Sequence, residues 1–268
     1  MALRFPLLPL RINKTIVLML CLFVTSYVFF MLHQLPVKTV VHWLPQKTLQ
    51  RSNLQLNGLS GTIWNGQTAQ LRLSGFSLSN LSWQLHALPL LWGDVVLAFK
   101  FRQTDAFGKG NATTDFSGET LQLSAVQSGF PAAQLMPLFY GFPIALEGQV
   151  SADIKQATIS KGQQLSLHGE MLWREAALSA PQHILFGDLQ VKMQAKDKGT
   201  VLTVQDQGGP LQLQGQVSVQ GDGRYEMNIA VSARSTASKA LTQSISILGV
   251  RDAQGNVQIR YKGKLPNW

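Results

Sequence analysis

The chain has 268 residues, with 23 basic and 14 acidic side chains, one cysteine and a formal charge of +9. The positive charge is uneven, because residues 1–93 contain seven Lys or Arg and no carboxylate. Basic charge gathered at one end suits anionic lipid headgroups. It excludes a nucleic-acid-binding domain, which needs a basic stripe on its folded surface. Because Cys21 is the only cysteine, neither a disulfide framework nor a thiol nucleophile is predicted for the remainder of the chain.

A charge-free apolar run over residues 16–32 predicts a single transmembrane helix over 15–34. Basic residues precede it, so residues 1–14 are expected to form a cytoplasmic stub and the rest of the chain to lie beyond the membrane. These residues are Arg4, Arg11 and Lys14. A cleaved signal peptide is the alternative interpretation. Bulky residues follow the run where signal peptidase requires small ones, which favours an uncleaved anchor.

Residues 35–52 are predicted to form a juxtamembrane segment that begins with a short helix. Val37, Val40, Val41 and Leu44 have helical spacing, and Trp43 is placed as an interfacial aromatic residue.

From residue 53 to residue 268 the sequence predicts a β domain. Apolar residues alternate with polar ones, as in Leu81, Trp83 and Leu85, and the pattern recurs over 95–102, 189–196, 225–231 and 257–262. A period of two with one wet face is typical of antiparallel strands. The predicted fold class is all-β, with curled antiparallel sheets of about a dozen strands and one or two short helices after the single N-terminal transmembrane helix.

Seven strands carry the pattern apolar-x-apolar-x-Gly, with the glycine on the apolar face. Two interpretations stay open: the glycines bend the strands inward, or they end the strands at turns. The glycines are Gly58, Gly75, Gly148, Gly169, Gly215, Gly221 and Gly263.

Two segments interrupt the strand pattern with helical signals. The first, over 131–143, begins with Pro131, which suits a first helical turn, and Pro137 limits it to a turn or two. The second, over 235–249, is predicted to be an amphipathic helix. Its expected N-cap is Ser235 or Thr236, its apolar face holds Leu241, Ile245 and Leu248, and Gly249 ends it.

No constellation of catalytic or metal-ligating residues is recognised in the sequence. The five histidines are isolated, and neither a phosphate-binding loop nor a nucleophile elbow is present. The chain is therefore predicted not to be an enzyme, with no cofactor, metal or catalytic residue. Large residues gather early in the β domain and are expected to fill its core. They are Trp64, Phe76, Trp83, Trp92, Phe99, Phe101 and Phe107.

The order of motifs along nearly the whole chain resembles the type II secretion system protein N family, the general secretion pathway protein N of Gram-negative bacteria. The similarity is most specific in Gly-Thr-Ile-Trp-Asn-Gly at 61–66, followed by Leu-Ser-Trp at 81–83, and recurs at 131–154 and 248–266. Six residues of these segments are expected to be structural. They are Gly61, Trp64, Gly66, Trp83, Gly148 and Gly263.

The resemblance implies a non-enzymatic accessory protein of the bacterial inner membrane, with residues 35–268 in the periplasm. Such a protein takes part in the export of folded proteins across the outer membrane. The implied partners are other type II secretion components of the inner membrane and periplasm, with membrane lipid contacted through the anchor and no nucleic acid. The alternative is a periplasmic lipid-binding or lipid-transfer module anchored to the inner membrane.

Overall fold

The computed structural model describes residues 14–43, 54–73, 76–139, 144–160, 164–180, 183–197, 199–245, 249–252 and 256–264. Three α-helices lie within these ranges: α1 (Lys14–His33), α2 (Val37–Trp43) and α3 (Lys239–Ser244). Two 3₁₀ segments are present, η1 (Pro89–Trp92) and η2 (Ala132–Phe139). The strands are β1 (Gln55–Asn57), β2 (Ser60–Gly61), β3 (Asn65–Leu73), β4 (Phe76–His86), β5 (Asp94–Arg102), β6 (Phe107–Asp115), β7 (Thr120–Pro131), β8 (Ala145–Ser160), β9 (Gln164–Ala180), β10 (Ile184–Lys196), β11 (Gly199–Asp206), β12 (Leu211–Gln220), β13 (Arg224–Ala233), β14 (Val250–Arg251) and β15 (Val257–Lys264).

A helix occupies the segment predicted to cross the membrane. The large side chains of α1 whose positions are described are exposed. Within the described part of the chain, no helix combines the length and hydropathy required of a membrane span. The predicted helix is therefore present, but its assignment as a transmembrane segment is not confirmed.

The strands form one antiparallel sheet rather than several, and this confirms the all-β prediction. Fourteen strands follow one another in the order β1-β3-β4 through β13-β15-β14, with β2 paired to β3 beside β1. Nearly every strand pairs with its neighbour in sequence, so short hairpins connect them and each strand reverses the direction of the one before. The proximal end of the sheet is the end where β3 begins and β4 finishes, and the distal end is the opposite one.

The sheet is curled, as the sequence predicted. Strands in a sheet lie about 4.8 Å apart, so β9 and β12 would be separated by about 14 Å across a flat sheet. Cα atoms of these two strands nevertheless approach within 8 Å. The Thr200 hydroxyl of β11 also bonds directly to β9, since it donates to Leu165 O at 3.1 Å and accepts from Leu167 N at 2.9 Å.

Residues with positive φ inside β4 and inside the consecutive strands β7 to β10 show where the sheet bends. Asn80 in β4, Ala125 in β7 and Glu175 in β9 have φ near +50° although none is glycine, and Gly148 and Gly187 continue the series in β8 and β10. The pairing register shifts beside Ala125, Gly148 and Gly187, as it does at a β-bulge. Such bulges bend a strand and increase its twist.

The in-strand glycines divide between the two interpretations that the sequence left open. Gly148, Gly169, Gly215 and Gly263 lie inside strands, whereas Gly58 and Gly221 lie in turns and Gly75 is outside the described residues. At Gly169 and Gly215 an added Cβ would meet the backbone of the neighbouring strand, 2.7 Å from Ile154 Cα and 2.5 Å from Ile229 Cα respectively. These two glycines permit a close approach of backbones that no other residue allows.

The fully buried core lies at the distal end, where loops and short helices close over the sheet. Its larger cluster contains residues of β9, β10, β12, β13 and β15. Ile245, the residue that follows α3, belongs to the same cluster and is buried, as predicted. Its smaller cluster packs η2 against β8. The larger cluster contains Ala176, Ile184, Phe186, Leu189, Leu211, Leu213, Val231, Ile245 and Val257, and the smaller contains Ala132, Leu146 and Val150.

Helical turns are present in both segments of the β domain where they were predicted, but the type of the first helix and the N-cap of the second differ from the prediction. The segment after Pro131 forms the 3₁₀ helix η2, and residues 140–143 lie outside the described residues. The N-cap of α3 is Ser238, which accepts from Leu241 N at 3.1 Å, so the assignment of the cap to Ser235 or Thr236 is wrong. The side chain three residues further along supplied the geometry that an N-cap needs. Leu248 lies outside the described residues.

The expectation that the early aromatic residues fill the core is wrong for two of them. Trp92 and Phe107 are exposed, because Trp92 belongs to a hairpin tip and Phe107 lies over Gly129 at the end of its strand. Trp83, Phe99 and Phe101 are half-buried in strands, and Trp64 is half-buried in the loop between β2 and β3. The side chain of Phe76 is not described.

Candidate functional site: the junction of helix and sheet

The segment 61–66 joins the end of α1 to the sheet. The Trp64 indole Nε1 donates to Leu32 O at 2.8 Å, and Ile63 N donates to Leu35 O at 3.1 Å. Pro36 forms an antiparallel bridge with Thr62. Three contacts thus hold the helix end against the loop between β2 and β3.

The same loop is bonded to β4 on its other side. Trp64 O accepts from Leu85 N at 2.7 Å, and Ile63 O accepts from the Trp83 indole Nε1 at 3.2 Å. The two indoles therefore connect the helix to the sheet through this loop: Trp64 bonds to the end of α1, and Trp83 bonds from β4 to the loop. The sequence identified both residues but gave no sign of the bonding between them.

The glycines of the segment allow this compact arrangement. Gly61 has φ of +86°, and an added Cβ would meet Asn65 O. Thr62 and Asn65 close the turn with two hydrogen bonds, Thr62 N to Asn65 O at 3.0 Å and Asn65 N to Thr62 Oγ1 at 3.1 Å. Gly66 lies beneath the Trp83 ring, where an added Cβ would collide with it. An aromatic ring over a strand glycine is a known device for fixing register.

Gly148 and Gly263 lie apart from this junction. Gly148 has φ of +100° at a bulge in β8, and Trp173 donates to the carbonyl of the preceding Glu147 at 2.8 Å. Gly263 lies in β15 under the Tyr225 ring. The six motif residues therefore do not form one site: four meet at the junction, and the other two shape the sheet.

Across β4 to β15, one row of neighbouring residues on the same face of the sheet is apolar or glycine. Residues paired directly across antiparallel strands point to the same face. In β4 and β5 the row contains Trp83 and Phe99, both half-buried. Beyond Phe99 and Gly110, the same row resumes at Ile154 and runs through Gly169, Met193, Leu202, Val217, Met227 and Tyr261.

Among the residues that the structure describes, no group of three or more His, Cys, Asp or Glu is arranged to hold a metal. The best-defined ion pair lies at the distal end, where Arg234 donates to Asp206 at 2.7 Å. Burial alone would raise the pKa of Asp206, but hydrogen bonds from Leu213 N, Arg234 and Gly208 N lower it. The sequence pattern gives no sign of this pair, because 28 residues separate its members.

A family model described as type II secretion system protein N matches residues 52–260. The chain belongs to this family. The matched range runs from β1 into β15 and includes segment 61–66, which bonds to the end of α1. Membership confirms the resemblance that the motifs indicated.

Curated type II secretion system N proteins align over most of their length. The relative from Aeromonas hydrophila is 27% identical over 256 residues, which cover 94% of this chain and all of the relative. The relative from Vibrio cholerae is 28% identical over 257 residues, with 91% and 96% covered. The relative from Klebsiella pneumoniae is 26% identical over 246 residues, with 89% and 92% covered. No solved structure matches the chain.

Proposed function

We propose that the chain is a non-enzymatic accessory component of type II secretion, held at the bacterial inner membrane with residues 53–268 in the periplasm. It would help to export folded proteins across the outer membrane through contacts with other secretion components. The observation that carries this proposal is the family match over residues 52–260, supported by relatives that bear the same name and align from end to end.

The membrane placement is supported by the composition of α1 and its flanks. Its apolar side chains point outward on all sides and none of residues 16–32 is charged, which suits a lipid environment. The basic residues of stub 1–14 would keep that end in the cytoplasm. The bonds from Trp64 and Ile63 would then hold the sheet at a fixed position against the periplasmic end of the helix.

The six motif residues are proposed to serve structure rather than chemistry. Gly61, Trp64, Gly66 and Trp83 would couple helix and sheet, while Gly148 and Gly263 would maintain the curl. The non-enzymatic part of the proposal rests on the sequence, which contains no recognisable catalytic motif.

The proposal is tested by in-cell photocrosslinking combined with a secretion assay in the host of this chain. A strain lacking the chain should retain a type II cargo in its periplasm and recover export with the intact gene. A photoreactive residue on the wet face of the sheet, at Gln216 or Glu226, should crosslink to other secretion components. Normal export without the chain, together with no such crosslink from either position, would refute the proposal.

Topology is tested separately with a periplasm-active reporter fused after Trp268. Activity is expected, and the same reporter fused ahead of residue 1 should be inactive. A mature N-terminus near residue 35 would instead show that the apolar run is a cleaved signal.

A second candidate, lipid handling, is favoured by one observation. In β4 and β5 the apolar face is only half-buried, and the buried clusters lie on β8 and beyond. A face of this kind would suit acyl chains. Phospholipid retained near one molecule per chain after exhaustive detergent exchange, with normal protein export in its absence, would favour this candidate over the first.

A further inference from the structure

The tip of the hairpin between β4 and β5 is an apolar projection into solvent. Residues 87–93 read ALPLLWG and contain no charged side chain. Leu88 is 70% exposed, and Leu91 and Trp92 are each 76% exposed. The backbone of the tip is ordered by η1, since Leu91 N bonds to Leu88 O at 3.1 Å and Gly93 N bonds to Leu90 O at 3.3 Å. Exposed leucine and tryptophan side chains on an ordered turn are typical of a surface that contacts another molecule or a membrane.

This tip lies at the same end of the sheet as the junction with α1. Leu85, the residue that donates to Trp64 O, is three residues before Leu88. Three residues of extended chain span at most about 11 Å. Because Trp64 also bonds to Leu32 O at the end of α1, the tip and the end of the apolar helix lie at the same end of the sheet.

The neighbouring hairpin adds a fourth apolar side chain at this end. Phe116, between β6 and β7, is 68% exposed, and its N–H bonds to Gly93 O at 3.1 Å. Two acidic residues, Asp115 and Glu119, stand on the same turn. The hydrogen bond from the Ser117 hydroxyl lowers the pKa of Asp115, so this carboxylate stays ionised at neutral pH. Its charge limits how deep this hairpin can go into lipid.

We propose that Leu88, Leu91, Trp92 and Phe116 form a second membrane contact, inserted at the boundary between headgroups and acyl chains on the leaflet where α1 emerges. The inference rests on the proposed membrane placement of α1. A lipid surface is the occupant because the patch lies at the end of the sheet that is bonded to the end of an apolar helix, and because exposed Trp and Leu side chains suit the interface. The ionised Asp115 keeps the contact at headgroup depth.

Two attachment points would determine the orientation of the sheet. A single helix leaves the sheet free to swing about the junction, even with the indole bonds of Trp64 and Trp83. A second contact from the hairpin tips removes that freedom and holds the apolar face at a fixed angle to the membrane.

The test measures the depth of single labels on the full chain in vesicles of phosphatidylethanolamine and phosphatidylglycerol. Leu91→Cys, in a Cys21→Ser background, carries an environment-sensitive fluorophore. The matched control is Asp105→Cys in the same background, since Asp105 is exposed in the turn at the opposite end of β5. Native Cys21, labelled in the otherwise unchanged chain, reports the position of α1.

Lipids with a nitroxide at a shallow acyl position should quench the label at position 91 several-fold more than the label at position 105. A water-soluble quencher should give the reverse order. Phe116→Cys should give the same order as Leu91→Cys, which guards against a local artefact of one variant.

Three results would overturn the inference. If Cys21 is quenched by lipid while position 91 is as open to the aqueous quencher as position 105, the hairpin contact is wrong and the proposed membrane placement stands. A label at position 91 that is shielded from both quenchers would show that protein covers the tip. If Cys21 itself is not quenched by lipid, the membrane placement fails, and the hairpin contact fails with it.

Discussion

Replacing Gly169 with valine should destabilise the sheet strongly, because the space for a side chain is occupied by backbone. An added Cβ would lie 2.7 Å from Ile154 Cα and would also meet the Asp153 carbonyl. Contacts with backbone cannot be relieved by a rotamer change, so β8 and β9 must separate at the point where the register shifts. Overpacking typically costs about 1–3 kcal/mol. We expect a value at the upper end, about 3 kcal/mol.

The measurement is thermal unfolding of the full chain in mild detergent. For a domain of this size each kcal/mol shifts Tm by about 2–4 °C, so Gly169→Val should lower Tm by about 6–12 °C. Glu170→Val is the matched control, since Glu170 follows in the same strand and is exposed. Its Tm should change little. Equal Tm values for the two variants would refute the argument that close backbone approach requires glycine at this position.

Three further predictions concern single side chains. Trp64→Phe keeps an aromatic ring but removes the hydrogen bond to Leu32 O, so it should lower the free energy of unfolding by about 1 kcal/mol. Backbone amides at the end of α1 should then exchange faster with solvent, and an unchanged exchange rate there would contradict the prediction. Ala125→Gly should leave stability equal or slightly higher, whereas Ala125→Val should lower it, because φ of +50° costs a residue with a Cβ about 1–2 kcal/mol. Asp206→Asn should cost about 1.5–3 kcal/mol at neutral pH, since the ionised carboxylate is 6% exposed and accepts from Arg234 and Leu213 N. The pKa of Asp206 in the folded protein lies below its usual value of 3.8, so its stabilising effect is present above pH 3.8 and is lost as the pH falls through the folded pKa. Acidification should therefore lower the free energy of unfolding, measured with urea, less in the variant than in the wild type.

The sequence by itself determined the class of the fold and the positions of most strands. Alternation is strong in β4, β5, β10, β13 and β15, because each of these strands places apolar residues on one face of the sheet and polar residues on the other. A period of two is a local property, visible in any stretch of six or more residues. The motif over 61–66 was also visible in the sequence, and its Gly61 meets a local backbone requirement, since its φ is +86°.

Only the tertiary structure decided which residues meet. Trp64 reaches Leu32 across 32 positions, and Arg234 reaches Asp206 across 28, so neither pair leaves a periodic signal. The sequence could not distinguish the half-buried Trp83 from the exposed Trp92, because exposure depends on which other residues cover a side chain. The sequence also could not show whether a given glycine bends a strand or ends it. At Gly169 the answer depends on how closely the backbone of β8 approaches, and that distance is fixed by the curl of the whole sheet.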